Sequence, residues 1–242
     1  SLAAGAAAFT ASDFANPADL FASSLEKWEP RRLTRVREET ARFGLRRPLA
    51  LSWSAPDGLA VEGFLFLPPA AGEKAPLVVE IHGGPAACWN DMFSHRYLWH
   101  VFAAKGWATL LPNIRGSRTY GEEFLKANLA DFGGGDFSDV MSGVEAALRT
   151  GAIDQERLGI SGYSYGGFMV NLAVTKTTAF RAAVSIAGGF NFLSCYGQTN
   201  PVLPEVDYAP MGSPEKLRLA FEASPVAAVH NVRTPVLLMS GT

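Results

Sequence analysis

A serine between glycines is the part of this sequence best suited to chemistry. Residues 162–166 read Gly-Tyr-Ser-Tyr-Gly, and Gly167 follows directly. Glycines at these positions allow a sharp, strained turn, because a Cβ atom on either side would collide with neighbouring backbone. Such a turn lifts the serine hydroxyl clear of the sheet, where it can attack a carbonyl group. The pattern therefore predicts Ser164 as the nucleophile of an acyl-transfer reaction.

Two backbone amides are predicted to stabilise the negative charge that this attack creates. A helical pattern starts at Tyr165, so its N–H group and the positive end of the helix dipole would face the charge. The second amide is that of Gly84, in the run His82-Gly83-Gly84-Pro85, because paired glycines after a strand let N–H groups face a pocket. His82 precedes the serine, whereas the base of such a site follows it, and we interpret His82 as a loop-ordering residue.

A third loop carries cationic side chains. Arg115 and Arg118 follow a predicted strand and would emerge at the sheet edge where open α/β sheets bind ligands. We assign Arg115 as a substrate-binding residue for a carboxylate, and an internal ion pair is the open alternative. Asp139, early in a predicted helix, is interpreted as a capping group.

Strands that alternate with helices must hold these loops together. From about residue 47 the sequence predicts strands at 49–54, 61–67, 77–81, 108–112, 158–161, 183–187 and 236–240, and helices at 94–105, 137–149 and 165–174. The later strands are short runs of Val, Leu and Ile without polar alternation, which is typical of parallel strands covered on both faces. The predicted class is α/β with a mainly parallel sheet and helices on both faces.

Residues 1 to about 40 have a different pattern. Two strand-like runs, 6–12 and 18–25, are separated by turn-forming residues and predict an antiparallel hairpin. Since one hairpin is marginally stable in water, we expect it to pack on the remainder. The predicted division of the chain is 1–40 and 41–242.

The composition limits the classes of partner. The chain has 242 residues, 48% of them hydrophobic and 18% charged, with a net charge of −2, which predicts a globular protein without a basic surface for nucleic acid or an anionic membrane. Its two cysteines are too few for a disulfide framework. No motif for a metal, nucleotide or other cofactor is present, and His95 and His100 are interpreted as packing residues. The compartment stays open, with the cytoplasm favoured.

Together these motifs resemble the prolyl oligopeptidase family of serine peptidases, in particular its acylaminoacyl-peptidase and dipeptidyl-peptidase-like branches. The segments that carry the resemblance, in the family's order, are 82–85, 113–117, 153–157, 162–167, 180–183, 224–225 and 234–238. The resemblance covers nearly the whole chain and implies an α/β-hydrolase fold, an acyl-enzyme on Ser164 and a short or N-terminally modified peptide as substrate. It also implies that residues 1–40 are the last part of a β-propeller.

The resemblance does not extend to a complete catalytic triad. In the family the triad Asp follows the strand that corresponds to 236–240, and the His follows one further strand, whereas this sequence ends at Thr242. None of the later acids or the later histidine matches those positions: Glu205, Asp207, Glu215, Glu222 and His230. A serine without a base is a poor nucleophile, so we expect this chain alone to be nearly inactive.

The alternatives concern the substrate and the role of the chain. An esterase acting on small acyl esters would use the same serine, and a non-catalytic fragment would act only by pairing with other protein. A sheet that lacks its final strand leaves an open apolar edge, which we expect the remaining segment, a partner or a second copy of the chain to cover.

Overall fold

The computed structural model describes residues 2–3, 5–69, 73–94, 96–129, 131–198 and 213–241. Within these ranges the chain forms two sheets. The smaller sheet consists of β1 (Leu2–Ala3), β2 (Ala6–Asp13), β3 (Asn16–Ser24) and β4 (Arg31–Arg32). The larger sheet consists of β5 (Leu49–Ser54), β6 (Ala60–Phe66), β7 (Ala75–Ile81), β8 (Ala108–Asn113), β9 (Ile153–Tyr163), β10 (Ala182–Ile186) and β11 (Val236–Met239).

Helices precede or connect the strands of the larger sheet. They are α1 (Val36–Ala41), α2 (Trp99–Ala104), α3 (Glu122–Lys126), α4 (Gly135–Arg149), α5 (Tyr165–Lys176), α6 (Phe192–Gln198) and α7 (Pro214–Glu222), with a 3-10 helix at Pro225–Asn231. The strand order is β11-β10-β9-β7-β8-β6-β5. Strands β11, β10, β9, β7 and β8 run parallel, and β6 and β5 are antiparallel to their neighbours. The predicted α/β class with a mainly parallel sheet is confirmed.

The two faces of the larger sheet are covered by different elements. On β8, Leu110 packs in the main core with α4 and α5, whereas the adjacent Leu111 packs with Phe66, Trp99 of α2 and Phe14 of the smaller sheet. Successive side chains of a strand point to opposite faces, so α4 and α5 lie on one face and α2 on the other. Helix α5 is buried along nearly its whole length, as a helix in the centre of a core must be.

The predicted N-terminal hairpin is confirmed as β2 and β3, which pair antiparallel. Phe14, in the turn between them, is 3% exposed and packs against Phe66 of the larger sheet. The ring nitrogen Nε2 of His100 lies 2.7 Å from the carbonyl oxygen of Phe14, so the packing role interpreted for His100 is confirmed, and His95 lies outside the described residues. Whether the smaller sheet belongs to a propeller stays a prediction.

The predicted elements differ from the structure mainly at their ends. Strand β5 has the predicted bounds, and the strand predicted at 158–161 extends over Ile153–Tyr163. The helix predicted at 94–105 starts only at Trp99, because Ser94 Oγ accepts hydrogen bonds from the N–H groups of Arg96 and Tyr97 in a turn. A local hydrogen bond from the backbone to a side chain thus competes with the helix.

Arg115 is an internal ion-pair residue, and its assignment to substrate binding was wrong. Its Nε and Nη2 donate to the two carboxylate oxygens of Asp139, at 2.9 and 2.8 Å, and its Nη1 donates to Asp57 at 2.7 Å. Arg115 is 7% exposed and Asp139 is fully buried, so these donors are not available to a ligand. The capping role interpreted for Asp139 was also wrong, since its carboxylate is taken up by Arg115.

These bonds connect the loop after β8 to α4 and to the turn between β5 and β6. The hydrogen bond from Arg115 is the main cause that lowers the pKa of Asp57 to about 2. Burial raises the pKa of Asp139, and the hydrogen bonds from Arg115 oppose that shift. The carboxylate of Asp139 is therefore tolerated in the core only because the guanidinium is beside it.

Strand β11 forms one edge of the larger sheet and exposes apolar side chains. Leu237, Leu238 and Met239 are 58%, 69% and 48% exposed, so the expected open apolar edge is present in the described structure.

None of the helices in the described ranges has the length and apolar character needed to cross a membrane.

Replacing Arg115 by leucine should destabilise the protein strongly. Arg115→Leu leaves the buried Asp139 carboxylate without a partner, so we expect the free energy of unfolding to fall by about 3–5 kcal/mol. Urea unfolding followed by circular dichroism measures the change. The matched control is Arg149→Leu, because the Arg149 side chain is 65% exposed, and it should change stability by less than about 0.5 kcal/mol. Equal effects of the two substitutions would contradict the role given to Arg115.

Candidate active site

Ser164 occupies the sharp turn between β9 and α5. Its backbone has φ 59° and ψ −115°, a conformation that costs a non-glycine residue of the order of 1–3 kcal/mol. Two backbone hydrogen bonds hold it, from Ser164 N–H to the carbonyl oxygen of Ile186 at 2.8 Å and from Phe168 N–H to that of Ser164 at 3.0 Å. The strained turn that the sequence predicts is therefore present, and Ser164 lines a cavity.

The glycines around Ser164 are required by close backbone contacts. A Cβ atom on Gly162 would overlap the backbone of Gly166, and one on Gly166 would overlap the carbonyl group of Ile81. A Cβ on Gly167 would lie 2.7 Å from the carbonyl oxygen of Ile186. Because real Cβ atoms do not approach this closely, only glycine allows β9, α5 and the loop after β10 to meet at the serine.

The loop after β7 lies against the serine. A Cβ atom on Gly83 would come within 3.5 Å of the Cβ of Ser164. Gly84 has φ +119°, and a Cβ there would lie 2.5 Å from Ala87 N, so this loop also needs glycine. The assignment of the Gly84 and Tyr165 amides as donors to a negatively charged oxygen stays a prediction, and it is compatible with the position of Gly84 next to Gly83 and of Tyr165 at the first residue of α5.

His82 connects two loops and does not face the serine as a base. Its Nδ1 lies 2.9 Å from the carbonyl oxygen of Gly83, and its Nε2 lies 2.9 Å from Ser117 Oγ in the loop after β8. Burial lowers the pKa of His82 to about 4, so the ring is neutral at neutral pH. The interpretation of His82 as a loop-ordering residue is confirmed.

Tyr165 is fixed by a buried carboxyl group on α4. Its hydroxyl donates a hydrogen bond to Asp136, which is fully buried. Burial raises the pKa of Asp136 to about 6, although the hydrogen bond from Tyr165 lowers it. Tyr165, whose backbone amide is one of the two predicted donors, is thus anchored by its own side chain.

A cavity of about 330 Å³ opens beside Ser164. Its wall consists of residues from three segments: 82–84 and 87–90 after β7, Met92, Ser94, Arg96, Tyr97 and Trp99 before and in α2, and Tyr163 with Ser164. Asn113 at the end of β8 fixes this wall, because its side chain accepts a hydrogen bond from Trp89 N–H at 2.7 Å and donates one to the Trp89 carbonyl oxygen at 3.0 Å.

The sequence analysis did not identify part of this wall, including Trp89, Arg96 and Tyr97, nor Asp136. Trp89, Arg96 and Tyr97 belong to no pattern that marks a site, and two of them fall within the helix predicted over 94–105. The position of Asp136 directly after a run of three glycines was the available signal for a buried carboxyl group near α5, because such a run permits close approach of neighbouring elements.

The remaining titratable residues considered in the sequence lie elsewhere. His230 is exposed in the 3-10 helix, and Glu215 and Glu222 are exposed in α7. Glu205 and Asp207 lie outside the described residues. Arg118 is exposed and donates to the carbonyl oxygen of Ala86. No group of three or more His, Cys, Asp or Glu side chains in the described part of the chain could hold a metal ion.

Comparisons with known proteins agree on one family. The model of the prolyl oligopeptidase family matches residues 92–242. The uncharacterized peptidase YuxL of Bacillus subtilis (strain 168) is 35% identical over 233 residues, which cover 93% of this chain and 35% of the relative. The acylamino-acid-releasing enzyme of Arabidopsis thaliana is 29% identical over 182 residues, which cover 71% of this chain and 23% of the relative.

The fold is similar to that of a solved peptidase. Pyrococcus horikoshii acylaminoacyl peptidase superposes with a TM-score of 0.87 and 30% sequence identity, over 98% of this chain and 38% of that chain. The similarity confirms the α/β-hydrolase fold that the sequence predicts. The chain spans about a third or less of the length of the curated relatives described above.

Replacing Gly166 by alanine should disrupt the turn at Ser164. Gly166→Ala forces Ile81 and α5 apart, because its Cβ would lie 2.8 Å from the carbonyl carbon of Ile81 and closer still to the oxygen. We expect labelling of Ser164 by a fluorophosphonate in the full-length protein to fall at least tenfold, and the free energy of unfolding to fall by about 1–3 kcal/mol. Circular dichroism gives the folded fraction to which labelling is normalised.

The matched control for Gly166→Ala is Gly159→Ala in β9. The nearest atom to a Cβ at this position is the carbonyl oxygen of Ala182 at 3.6 Å, which is ordinary contact. Gly159→Ala should therefore keep the labelling. Normal labelling of the folded Gly166→Ala variant would show that the turn does not depend on this contact.

The buried carboxyl group of Asp136 should make stability fall as the pH rises. The unfolded chain loses the Asp136 proton near its ordinary pKa of 3.8 and the folded protein near pH 6, so the folded state binds more protons between these values. Asp136→Asn removes this titration. Relative to the wild type, the variant should gain up to about 3 kcal/mol of stability from about pH 4 to about pH 7.

Thermal unfolding at several pH values measures this difference. The control is Asp154→Asn, since a backbone hydrogen bond from Glu156 and the side chain of Arg157 lower the pKa of Asp154, which places its titration below this interval. A stability difference between the wild type and Asp136→Asn that does not change with pH would contradict a raised pKa at Asp136.

Proposed function

Since this chain belongs to the prolyl oligopeptidase family of serine peptidases, we propose that Ser164 is the nucleophile that cleaves short or N-terminally modified peptides. The observation that carries the proposal is the strained backbone at Ser164, which places the hydroxyl at a cavity of about 330 Å³. Such a conformation costs free energy that the surrounding contacts must offset, and strain of this kind is concentrated at active sites.

The proposed reaction proceeds through an acyl-enzyme. Ser164 Oγ attacks the scissile carbonyl carbon as a base takes its proton, and the N–H groups of Gly84 and Tyr165 donate to the carbonyl oxygen, which becomes negatively charged. The carbon–nitrogen bond then breaks, the amine leaves with the proton, and water hydrolyses the ester on Ser164. We assign the base to no described residue, since both ring nitrogens of His82 are already engaged.

The substrate class is supported by the cavity and by the relatives. A volume of about 330 Å³ suits one side chain or a small acyl group and not a folded protein segment. The matched relatives include enzymes named for releasing acylamino acids and dipeptides. The chain spans about a third or less of the relatives' length. We therefore propose this limit on substrate size for the whole protein and not for this chain alone.

The edge of the sheet supports a second, compatible role. Leu238 on β11 is 69% exposed, and an exposed apolar edge strand is a template for pairing with another strand. We propose that further protein, from the same polypeptide or a partner, covers β11. A chain whose only role were such pairing would not react at Ser164, which separates this alternative from the peptidase.

Replacing Ser164 by alanine should abolish both labelling and hydrolysis. In the full-length protein, Ser164→Ala removes the nucleophile, so fluorophosphonate labelling should disappear and kcat/KM for an aminoacyl anilide should fall by a factor of about 10⁴ or more. Gel-based labelling and anilide release measure the two effects. The matched control is Ser52→Ala, because Ser52 is an exposed residue of β5, and persistent labelling of Ser164→Ala would reject the assignment.

The same protein can be used to separate peptidase from esterase. An anilide and an aryl ester with the same acyl group differ only in the leaving group, so a peptidase should hydrolyse both and an esterase only the ester. Hydrolysis of the ester alone would identify the esterase, and absence of both reactions together with absence of labelling would favour the non-catalytic role.

A further inference from the structure

The cavity beside Ser164 has hydrogen-bond donors in its wall but no carboxylate. None of its described lining residues is Asp or Glu, and Arg96 is the lining residue that carries a full positive charge. A positive charge in a wall without a carboxylate makes the cavity complementary to a group that brings a negative charge and acceptor oxygens.

Arg96 is positioned by aromatic rings. Its guanidinium carbon lies 4.0 Å from the centre of the Tyr163 ring and 5.7 Å from that of Tyr97. No carboxylate of the described residues forms an ion pair with it. A guanidinium stacked on a ring keeps the N–H groups along its edge for another ligand and loses less conformational entropy when it binds one.

Glu80 is the carboxyl group whose charge acts on Arg96, and it does not line the cavity. It is 8% exposed on β7. Burial raises the pKa of Glu80 to about 7, while a hydrogen bond from Ser161 and the charge of Arg96 lower it. At neutral pH Glu80 is therefore ionised in only part of the molecules, and the positive charge of Arg96 is not fully neutralised.

The stacked ring connects this cation to the reacting atoms, because Tyr163 directly precedes Ser164. A group held by Arg96 thus lies close to the serine hydroxyl in the same cavity. We propose that the cavity binds an acidic side chain, Asp or Glu, of the substrate residue next to the scissile bond, and that Arg96 determines this specificity by pairing with the carboxylate. The inference rests on the proposed peptidase function and adds the substrate class of that same site.

The test compares substrates that differ only in charge. In the full-length protein, kcat/KM is measured for peptides with Glu or Gln at the residue that supplies the scissile carbonyl, and for a second pair with the substitution at the following residue. The wild-type protein should prefer Glu to Gln by about tenfold in one of the two pairs, as expected for a charge-assisted hydrogen bond. Arg96→Gln should reduce that ratio to about one, mainly through KM for the Glu peptide.

Two further variants separate charge from structure. Arg149→Gln removes an exposed arginine of α4 that is not part of the cavity, and it should keep the wild-type Glu-to-Gln ratio. Arg96→Lys keeps a positive charge but not the planar guanidinium, and it should retain part of the preference for Glu that Arg96→Gln loses.

The outcomes distinguish this inference from the proposed function. If Ser164 is labelled by a fluorophosphonate but neither peptide pair shows a preference for Glu, the inference is wrong and the peptidase stands. A preference for Glu that persists in Arg96→Gln also overturns it, because another residue would then read the charge. If the wild-type protein is not labelled and hydrolyses none of the peptides, the proposed function itself has failed.

Discussion

The whole site depends on the backbone conformation of one residue. Ser164 has a positive φ, and this conformation is imposed from three sides, by the carbonyl group of Ile81 against Gly166, by Gly166 against Gly162, and by the loop after β10 against Gly167. Each of these approaches is possible only because a Cβ atom is absent. The energy that holds the strained serine is therefore supplied by the parallel strands, whose hydrogen bonds and buried side chains fix the backbone around it.

The loops at this edge of the sheet are fixed by buried polar pairs of different kinds. Arg115 and Asp139 form a charged pair that joins the loop after β8 to α4, whereas His82 and Ser117 form a neutral pair that joins the loops after β7 and β8. In both cases groups that would be costly alone in the core satisfy each other. The consequence is a rigid edge in which the polar groups near Ser164 hold the loops in place.

The cavity has two unlike boundaries. One side is the rigid strand edge with Ser164, and the other is a cluster of aromatic rings that includes Trp89, Tyr97 and Trp99. Trp99 also contacts Phe14, in the turn of the N-terminal hairpin. The smaller sheet is therefore in direct contact with a residue of the cavity wall, so packing of the N-terminal segment contributes to the shape of the space in which a substrate would bind.

The sequence by itself determined the features that depend on neighbours along the chain. The runs of Val, Leu and Ile predicted the parallel strands, and the glycines around Ser164 predicted the strained turn, because the steric demand of a missing Cβ can be read locally. Only the tertiary structure decided the partners of Arg115, the carboxyl group that holds Tyr165 and the ring on which Arg96 stacks. Those contacts join residues from different elements, for example Arg115 and Asp57, 58 positions apart, and no local pattern specifies which distant side chain a buried charge will meet.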